Sequence, residues 1–459
     1  MNLFDCTKGS SSYIFGWLGY TNQEIRDRAC LLRELDSGIE LIIPFQGQKD
    51  EIVSWFAGFG ASQPFDVADG LGLPDNIWIN EITSSDTFCL VNPRITKRCI
   101  NCNTLQGYAI LTPDYVVKGK EGVSYDDVHK LRTYIPELTT WTGLSSLKSA
   151  FKPKGDSVGT VESFRVGFED ADSLPVGCAP YDIELVLVPT DSSTTHRGLE
   201  PYVVVRGSVS LESASGNKIP ISQHIKQHIN LTSLLSLITW RNVGFKNVSV
   251  CCEEDTTLLQ DGRTVGPFFR QVATKNLETW MTPKKESAFP IRFEDIGASG
   301  LLRWFELKKA YGDPLDELTY IARMHDSLTL QNQILLYGTA FEELGTAIGK
   351  SINGKSKWPV YGRIENILNN CTMKLFRDNK EVGIAVANTY NAIKHSDFER
   401  EGISRSELLA TSNLISVSSL CRAISLLWVG CKLGCSESLT DNIRQDRSIS
   451  QPIEKWLHV

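Results

Sequence analysis

A row of polar side chains with helical spacing lies between Glu381 and Phe398, a stretch that reads EVGIAVANTYNAIKHSDF. At about 100° per residue, Asn388, Asn391 and His395 fall on one face of such a helix. An imidazole exchanges protons near neutral pH, and amides donate hydrogen bonds to anionic groups. The spacing therefore indicates a candidate site for acid–base chemistry, and the alternative is an ordinary solvated helix face.

The rest of this stretch predicts how the helix is held in place. Its apolar residues recur with helical spacing and form a second face that packs on neighbouring helices. The same periodicity predicts further helices, and Ser404 with Glu407 forms a capping-box pattern that starts the last of them. These predicted helices are 296–311, 315–325, 328–348, 363–377, 381–398 and 407–433. The predicted tail, 436–459, is polar and either packs late or stays loose.

The first part of the chain has a residue pattern that is typical of strands. Runs rich in β-branched residues predict strands at 182–188, 202–211 and 245–252, and polar or Gly-containing pieces at 191–198 and 213–218 predict loops. One helix is predicted among the strands, at 221–240. We therefore expect an α+β protein with a β-rich domain over 1–285 and an all-helical domain over 286–459.

Composition narrows the class of protein. The chain has 459 residues, 41% hydrophobic and 22% charged, with a net charge of −7, so any contact with nucleic acid is expected to be local. The N-terminus lacks the pattern of a secretory signal, and the apolar stretch 414–433 is interrupted by Arg422 and several serines, which predicts a buried helix and not a membrane span. We expect a cytoplasmic protein that does not contact a membrane.

Two short motifs raise the question of a metal site. Cys99 and Cys102 form a CxxC, but no second pair follows at the spacing of a zinc finger, and His224 and His228 form an HxxxH that lacks the glutamate of a zinc protease. Twelve cysteines in a chain of this length favour reduced thiols. No metal or other cofactor is therefore expected, and a chance pair or a turn is the preferred interpretation of the CxxC.

The stretch Asn391-Ala392-Ile393-Lys394-His395 resembles the signature of HEPN domains, in which an arginine and a polar residue precede a histidine. The resemblance implies that His395 is the general acid or base and Asn391 the polar residue, whereas Tyr390 stands in the place of the arginine. Lys394 is the nearest substitute for the missing charge, and Arg363, Arg377 or Arg400 are possible substitutes from elsewhere in the chain. The predicted catalytic residues are His395, Asn391, Tyr390 and Lys394. Asn388 and Arg400 are expected to contact RNA, and Glu342 is expected to support the site.

A second resemblance covers most of the chain after about residue 130. The stretches 229–239 and 301–305, followed by Ala340-Phe341-Glu342-Glu343-Leu344, are similar in order and spacing to ApeA-like proteins, which combine an N-terminal domain with a HEPN domain. This resemblance implies a bacterial anti-phage protein that acts by abortive infection, as a ribonuclease toxin that cleaves RNA, with tRNA as one candidate substrate. It also implies a homo-oligomer joined through the HEPN domain and a phage-encoded trigger. The alternative is a non-catalytic HEPN module with a degenerate site that binds RNA or a protein.

Overall fold

The structure is a computed structural model. It describes residues 13–19, 28–35, 38–46, 55, 73–82, 84–100, 106–145, 147–153, 161–168, 172–179, 182–196, 202–273, 289–353, 358–398 and 402–458. Arg400 and Cys102, both singled out from the sequence, lie outside these residues.

Strands fill the described chain up to residue 273, and one long helix interrupts them. The strands are β1 Tyr13–Leu18, β2 Ala29–Leu35, β3 Gly38–Gln46, β4 Asn76–Glu81, β5 Thr87–Val91, β6 Arg94–Ile100, β7 Gln106–Thr112, β8 Tyr115–Gly119, β9 Asp127–Tyr134, β10 Leu147–Pro153, β11 Val161–Phe168, β12 Leu174–Ala179, β13 Ile183–His196, β14 Tyr202–Pro220, β15 Lys246–Cys251, β16 Thr257–Leu258, β17 Thr264–Val265 and β18 Phe269–Ala273.

In the described part of the chain, two of the following helices lie among the strands, and the others follow residue 289. The helices are α1 Pro136–Thr142, α2 Ile221–Thr239, α3 Phe293–Ala310, α4 Gly312–Met324, α5 Leu330–Asn353, α6 Val360–Asn369, α7 Asn379–Lys394, α8 Arg405–Leu408, α9 Thr411–Leu433, α10 Ser438–Gln445 and α11 Arg447–Ile453. The predicted fold class, α+β with a β-rich part followed by a helical part, is confirmed.

The chain forms two compact units, each made of several segments. The first unit comprises Met1–Tyr134, Glu212–Lys226 and Phe245–Thr279, and the second comprises Ile135–Leu211, Gln227–Gly244 and Trp280–Val459. Strand β14 and helix α2 each contribute residues to both units. The local residue pattern of the sequence located the change from strands to helices. The grouping of segments into units depends on contacts between residues that are distant in sequence.

The first unit is built on an antiparallel sheet in which neighbouring strands run β9-β15-β18-β8-β5-β4-β1-β2-β3-β7-β6. Strand β1 illustrates how the sequence specifies one face for the core. Its residues alternate strictly, so that Ile14 and Leu18 are buried while Tyr13, Phe15 and Trp17 are exposed. Such alternation fixes the register, because a slip by one residue would expose the core face.

In the second unit, helix α7 packs against α5, α6 and α9. The approach of α7 to α5 is close because Gly338 on α5 has no side chain. A Cβ atom placed at Gly338 would lie only 2.2 Å from the ring of Tyr390. The ring of Tyr390 therefore lies directly on the backbone of α5, and this contact fixes the C-terminal half of α7.

Two sequence stretches that carried the ApeA resemblance meet inside the second unit. Trp304 of α3 is fully buried, and its indole N–H donates to the carbonyl oxygen of Asn230 at 2.7 Å. Arg323 of α4 donates from its guanidinium to hydroxyls on the same helix α2, at 3.0 Å to Thr232 and 3.3 Å to Ser233. The hydroxyls of α2 thus serve as hydrogen-bond acceptors for a neighbouring helix.

Several sequence predictions are corrected. The pieces 191–198 and 213–218 were expected to be loops, but β13 extends to His196 and β14 continues through to Pro220. In the second case Ser213 lies beside β9 and donates to the carbonyl oxygen of Leu131 at 3.3 Å. Pairing with a neighbouring strand therefore overrides a local composition that favours turns.

The single helix predicted over 407–433 is two helices. Ala410 has an extended backbone between α8 and α9, and the amide of Asn413 donates to the carbonyl oxygen of Leu408 at 2.7 Å. A side chain thus satisfies the end of α8. The capping box of Ser404 and Glu407 at the start of α8 is confirmed.

The C-terminal tail is packed and helical, contrary to one of the two expectations. The apolar residues of α10 and α11, including Leu439, Ile443 and Ile449, are fully buried. The amide of Asn442 also donates to the carbonyl oxygen of Pro290 at 2.9 Å. Each helix places buried apolar residues four positions apart on one face, which explains why a polar segment packs.

Helix α9 is long and apolar enough to cross a membrane, and 67% of its most apolar window is buried inside the protein. This burial agrees with the predicted core helix.

Candidate functional site at the end of helix α7

Helix α7 has a defined start and a defined end. The side chain of Asp378 accepts hydrogen bonds from the backbone N–H groups of Lys380 and Glu381, at 2.8 and 3.2 Å, which is the usual N-cap arrangement. At the other end His395 has an extended backbone, with φ −120° and ψ 120°. Its N–H still donates to the carbonyl oxygen of Asn391 at 2.8 Å. The imidazole therefore leaves the helix at its last turn.

His395 is exposed to solvent. Among the described residues, none makes a hydrogen bond or an ion pair with its imidazole. Exposure to solvent is required of a group that exchanges protons with a substrate.

Tyr390, which was predicted to be catalytic in the place of the motif arginine, is a core residue. Only 2% of it is exposed. Its hydroxyl accepts a hydrogen bond from the ammonium of Lys394 at 3.0 Å, and the same ammonium lies 5.0 Å from the centre of the ring. Tyr390 packs its ring on Gly338, and its hydroxyl has Lys394 as its hydrogen-bond partner in place of a substrate.

The hydrogen bond to Tyr390 raises the pKa of Lys394, and the carboxylate of Glu342 raises it further. Lys394 therefore remains a cation throughout the neutral range, in the last turn of α7. The predicted supporting role of Glu342 remains a prediction, although its carboxylate acts electrostatically on Lys394.

An arginine that the sequence did not single out lies at the same helix end. The Nε of Arg405, at the start of α8, donates to the carbonyl oxygen of Ala392 at 2.9 Å. Carbonyl groups in the last turn of a helix form the negative end of its dipole, which attracts a cation. Arg405 lies inside the capping box, directly after Ser404, and this pattern predicts a helix start and not a contact thirteen residues back in the chain.

The guanidinium of Arg405 retains donors that can bind an anion. Its side chain is exposed, and its recorded hydrogen bond uses Nε alone. Within the described part of the chain, no carboxylate lies within ion-pair distance of Arg405 or Lys394. The end of α7 thus carries two exposed cations and an exposed imidazole.

The other arginines proposed from the sequence have backbone partners. Arg363 donates to the carbonyl oxygens of Trp358 and Glu342, at 3.0 and 3.3 Å, and Arg377 donates to the carbonyl oxygen of Leu457 at 2.6 Å. These bonds connect helices and the C-terminal segment.

Directly after His395, the chain borders an open cavity of about 450 Å³. It lies between the residues that follow α7 and the start of α8. The lining combines hydroxyls, a carboxylate and the guanidinium of Arg405 with two apolar side chains, and its residues are Ser396, Asp397, Phe398, Gly402, Ile403, Ser404 and Arg405. A cavity of this size lies within the range of small-molecule binding sites.

The common polar face expected for Asn388, Asn391 and His395 is not formed. Asn388 is only 6% exposed, because α7 is covered by neighbouring helices on that side as well, and its contact with RNA remains a prediction. Asn391 is half-buried, one turn before His395, and remains beside the site. His395 itself lies outside the helix.

The first histidine of the HxxxH motif, His224, lies in the first unit and has hydrogen-bond partners there. His224 is fully buried, with Nδ1 2.9 Å from the hydroxyl of Ser213 and Nε2 3.2 Å from the carbonyl oxygen of Val128. Burial lowers its pKa, so this imidazole is neutral and structural. No group of three or more metal-binding side chains comes together among the residues that the structure describes.

Residues 79–304 match the family model of ApeA N-terminal domain 1. This match supports an ApeA-like protein. It ends within α3, so the helices that carry the candidate site lie beyond it. An ApeA-like N-terminal domain is consistent with a family of anti-phage defence proteins. No curated protein and no solved structure matches the chain.

Proposed function

We propose that this ApeA-like protein is an anti-phage defence protein whose helical part is a HEPN endoribonuclease that cleaves RNA on phage infection. The observation that carries the proposal is the exposed imidazole of His395 at the same helix end as the guanidinium of Arg405. The family match of the N-terminal part supports the defence role.

Metal-independent RNA cleavage needs two proton transfers and one cation. A base takes the proton of the 2′-hydroxyl, an acid protonates the leaving 5′-oxygen, and a cation stabilises the charge that develops on phosphorus-bound oxygens. His395 performs one proton transfer in this proposal. Arg405 stabilises the phosphate, because its planar donors match two phosphate oxygens.

Arg405 thereby takes the part of the motif arginine, whose place in the sequence Tyr390 occupies. Lys394 contributes a second positive charge on the RNA-facing side, and Asn391 donates a hydrogen bond to the substrate. Pairing of two copies through the helical part would bring a second His395 to the same groove for the other proton transfer. We place the reaction in the cytoplasm, where the β-rich part responds to a phage-encoded component.

The test compares purified wild-type protein with His395→Ala and Arg405→Ala on total cellular RNA, with new 5′ ends mapped by sequencing. We expect His395→Ala to reduce cleavage by about 10²–10⁴-fold. Arg405→Ala should reduce it by about 10²-fold, since it removes charge stabilisation. Arg292→Ala is the matched control, because this exposed arginine of the same unit pairs with Glu294.

The same variants are then expressed in bacteria with and without phage. New RNA ends and growth arrest that require both His395 and Arg405, but not Arg292, would support the proposal. Cleavage that persists in His395→Ala at the wild-type rate would overturn it.

A second function is favoured by the burial of Tyr390. If a buried tyrosine in place of the motif arginine marks a lost catalytic centre, the same cations form an RNA-binding surface without cleavage. In that case the wild type would leave RNA intact, and Arg405→Ala and Lys394→Gln would weaken RNA binding in a filter or anisotropy assay. Binding through phosphate contacts would also weaken steeply with added salt.

A further inference from the structure

The open cavity after α7 is lined by two groups of opposite charge that do not pair with each other. Asp397 and Arg405 both line it, and both residues are exposed. In the described part of the chain, no hydrogen bond or ion pair engages the carboxylate of Asp397. The recorded side-chain hydrogen bond of Arg405 uses Nε, which donates to the carbonyl oxygen of Ala392 at 2.9 Å. A ligand that has an anionic group at one end and hydrogen-bond donors at the other would satisfy both groups.

A tight turn joins this cavity to the imidazole of His395. The backbone N–H of Phe398 donates to the carbonyl oxygen of His395 at 3.3 Å, which closes the turn over residues 395–398. Asp397 is two residues from His395, so their Cα atoms lie no more than about 7 Å apart. A ligand in the cavity therefore lies next to the group that transfers the proton in the proposed reaction.

The rest of the lining is suited to a flat ring and not to a second phosphate. Phe398 is half-buried and is the aromatic residue of the lining, and Ile403, which is 41% exposed, adds an apolar side chain. Unpaired bases of RNA stack on aromatic side chains through their π-faces. The carboxylate of Asp397 repels phosphate, and because it only accepts hydrogen bonds it binds a group that presents N–H or O–H donors.

Guanine is the base whose hydrogen-bonding edge matches a carboxylate. Its Watson–Crick edge carries N1–H and the N2 amino group side by side, so two donors meet two carboxylate oxygens. Adenine and cytosine each have a ring acceptor beside their amino group, and uracil has its N–H between two carbonyl oxygens. Against these bases a carboxylate makes one hydrogen bond and also faces a lone pair, which is unfavourable.

We propose that the cavity is a subsite for an unpaired guanosine beside the scissile bond, an inference that rests on the proposed ribonuclease function. Asp397 accepts hydrogen bonds from N1–H and the N2 amino group, the ring of Phe398 stacks on the base, and Arg405 binds the adjoining phosphate. In a duplex the same edge of guanine is paired with cytosine, so this recognition requires single-stranded RNA. Asp397 is then a specificity-determining residue that takes no part in proton transfer.

The first test measures binding and does not depend on cleavage. Fluorescence anisotropy is recorded for wild-type protein with labelled oligouridylates that differ only in one central nucleotide. We expect the oligonucleotide with a central guanosine to bind at least about five-fold more tightly than those with adenosine, cytidine or uridine. Equal binding of all these oligonucleotides by the folded wild type would overturn the proposal.

Asp397→Asn tests the hydrogen-bonding argument as a change of specificity. An amide has an acceptor beside a donor, so it matches the edges of adenine and cytosine and no longer matches guanine. We expect this variant to bind the adenosine and cytidine oligonucleotides at least as tightly as the guanosine one. Asp326→Asn is the matched control, because it removes the same charge from an aspartate of the same unit whose side chain is 88% exposed and lies outside the cavity.

Phe398→Leu tests the stacking. Because every base has a π-face, this variant should weaken binding of all the oligonucleotides by about ten-fold and preserve the order of their affinities. Circular dichroism checks that each variant is folded. An unchanged guanosine preference in folded Asp397→Asn would overturn the role of Asp397, and unchanged affinities in Phe398→Leu would overturn the role of Phe398.

Mapping of new 5′ ends in total RNA separates this inference from the proposed function. Ends that require His395, that flank guanosine in the wild type and that lose this preference in Asp397→Asn would support both. Ends that require His395 but show no preference for guanosine would overturn the subsite and leave the ribonuclease in place. A guanosine preference in binding without any cleavage would support the subsite and overturn the ribonuclease.

Discussion

Charged side chains are used in opposite ways around Asp255, in the first unit, and at the end of α7, in the second. The carboxylate of Asp255 is fully buried and accepts two hydrogen bonds from Arg270, at 2.6 and 2.7 Å, and one from Tyr125 at 2.8 Å. Burial alone would raise the pKa of Asp255, but these hydrogen bonds lower it. Lys394 and Arg405 instead interact with a tyrosine hydroxyl and a backbone carbonyl, and both are exposed.

The difference teaches which charges maintain the fold and which are available to a ligand. A buried carboxylate that loses its cation becomes an uncompensated charge, whereas an exposed cation that is removed leaves only a carbonyl, which water can solvate. Removal of a charge of the first kind should lower the stability of the protein. Removal of a charge of the second kind should weaken the interaction with RNA.

The largest effect is expected from Arg270→Ala. Because it leaves the buried Asp255 without its partner, we expect a loss of about 3 kcal/mol in the free energy of unfolding, measured by urea denaturation. Arg405→Ala should change stability by less than about 0.5 kcal/mol. Arg263→Ala is the control in the first unit, since its pair with Asp261 is largely exposed. Equal losses for Arg270 and Arg405 would abolish the distinction between the two regions.

The Asp255 cluster also predicts acid sensitivity. Since the folded pKa of Asp255 is below its unfolded value of about 3.9, the cluster contributes stability that is present above that pH and is lost as the pH falls through the folded pKa. The unfolding midpoint of the wild type, followed by tryptophan fluorescence, should fall between pH 5 and pH 2. Asp255→Asn should flatten this dependence, and an unchanged slope would contradict the assignment.

Packing, and not ion pairing, should hold the end of α7 in place. Gly338→Ala forces a methyl group against the ring of Tyr390, and we expect a loss of about 1–3 kcal/mol in the free energy of unfolding. Gly362→Ala is the matched control, because its nearest neighbour, Trp358, lies 3.6 Å from the added Cβ and a helical alanine is favourable. We expect the melting temperature to fall for Gly338→Ala and to rise for Gly362→Ala. A Gly338→Ala protein as stable as the wild type would mean that α5 and α7 are less closely packed.

The carboxyl group of Glu317, on α4, is a third case, because it is partly buried. Burial, reinforced by the carboxylate of Glu343, raises the pKa of Glu317 to about 7. Since this folded pKa is above the unfolded one, the stabilising contribution is complete only below the unfolded pKa and is lost as the pH rises through about 7. Glu317→Gln should therefore stabilise the protein at pH 8 by on the order of 1 kcal/mol after allowance for solvent screening.

The control for this third comparison is Glu306→Gln, an exposed carboxylate on α3 that should leave the pH dependence unchanged. Chemical denaturation at pH 5 and pH 8 provides the measurement. A Glu317→Gln protein with the same difference between the two pH values as the wild type would show that Glu317 carries no such linkage.

The smallest effect is expected from Tyr390→Phe. It preserves the ring on Gly338 and removes only the hydroxyl that accepts from Lys394, so RNA affinity should fall by no more than about three-fold and stability by a few tenths of a kcal/mol. Fluorescence anisotropy with a short RNA measures the first quantity. A loss of RNA affinity as large as that of Arg405→Ala would mean that Tyr390 contacts the RNA. It would contradict the placement of Tyr390 in the core.

Much of the fold followed from local pattern. Helical periodicity located α2, α3, α4, α5 and α7 to within a few residues, because each buries one apolar face with its own spacing. The capping box at Ser404 was readable for the same reason, since both partners lie within one turn. The strand at Tyr202 was found, but its continuation to Pro220 was not, because a neighbouring strand and not the local composition supplies its hydrogen bonds.

The sequence by itself determined which groups can do chemistry at the end of α7, namely an imidazole, an ammonium and an amide within one turn. Only the tertiary structure decided which of them face solvent, because covering helices bury Asn388 and Tyr390 and leave His395 and Lys394 outside. It alone brought Arg405 to the carbonyl of Ala392, since contacts between residues distant in sequence arise from helix packing and leave no periodic signal in the chain.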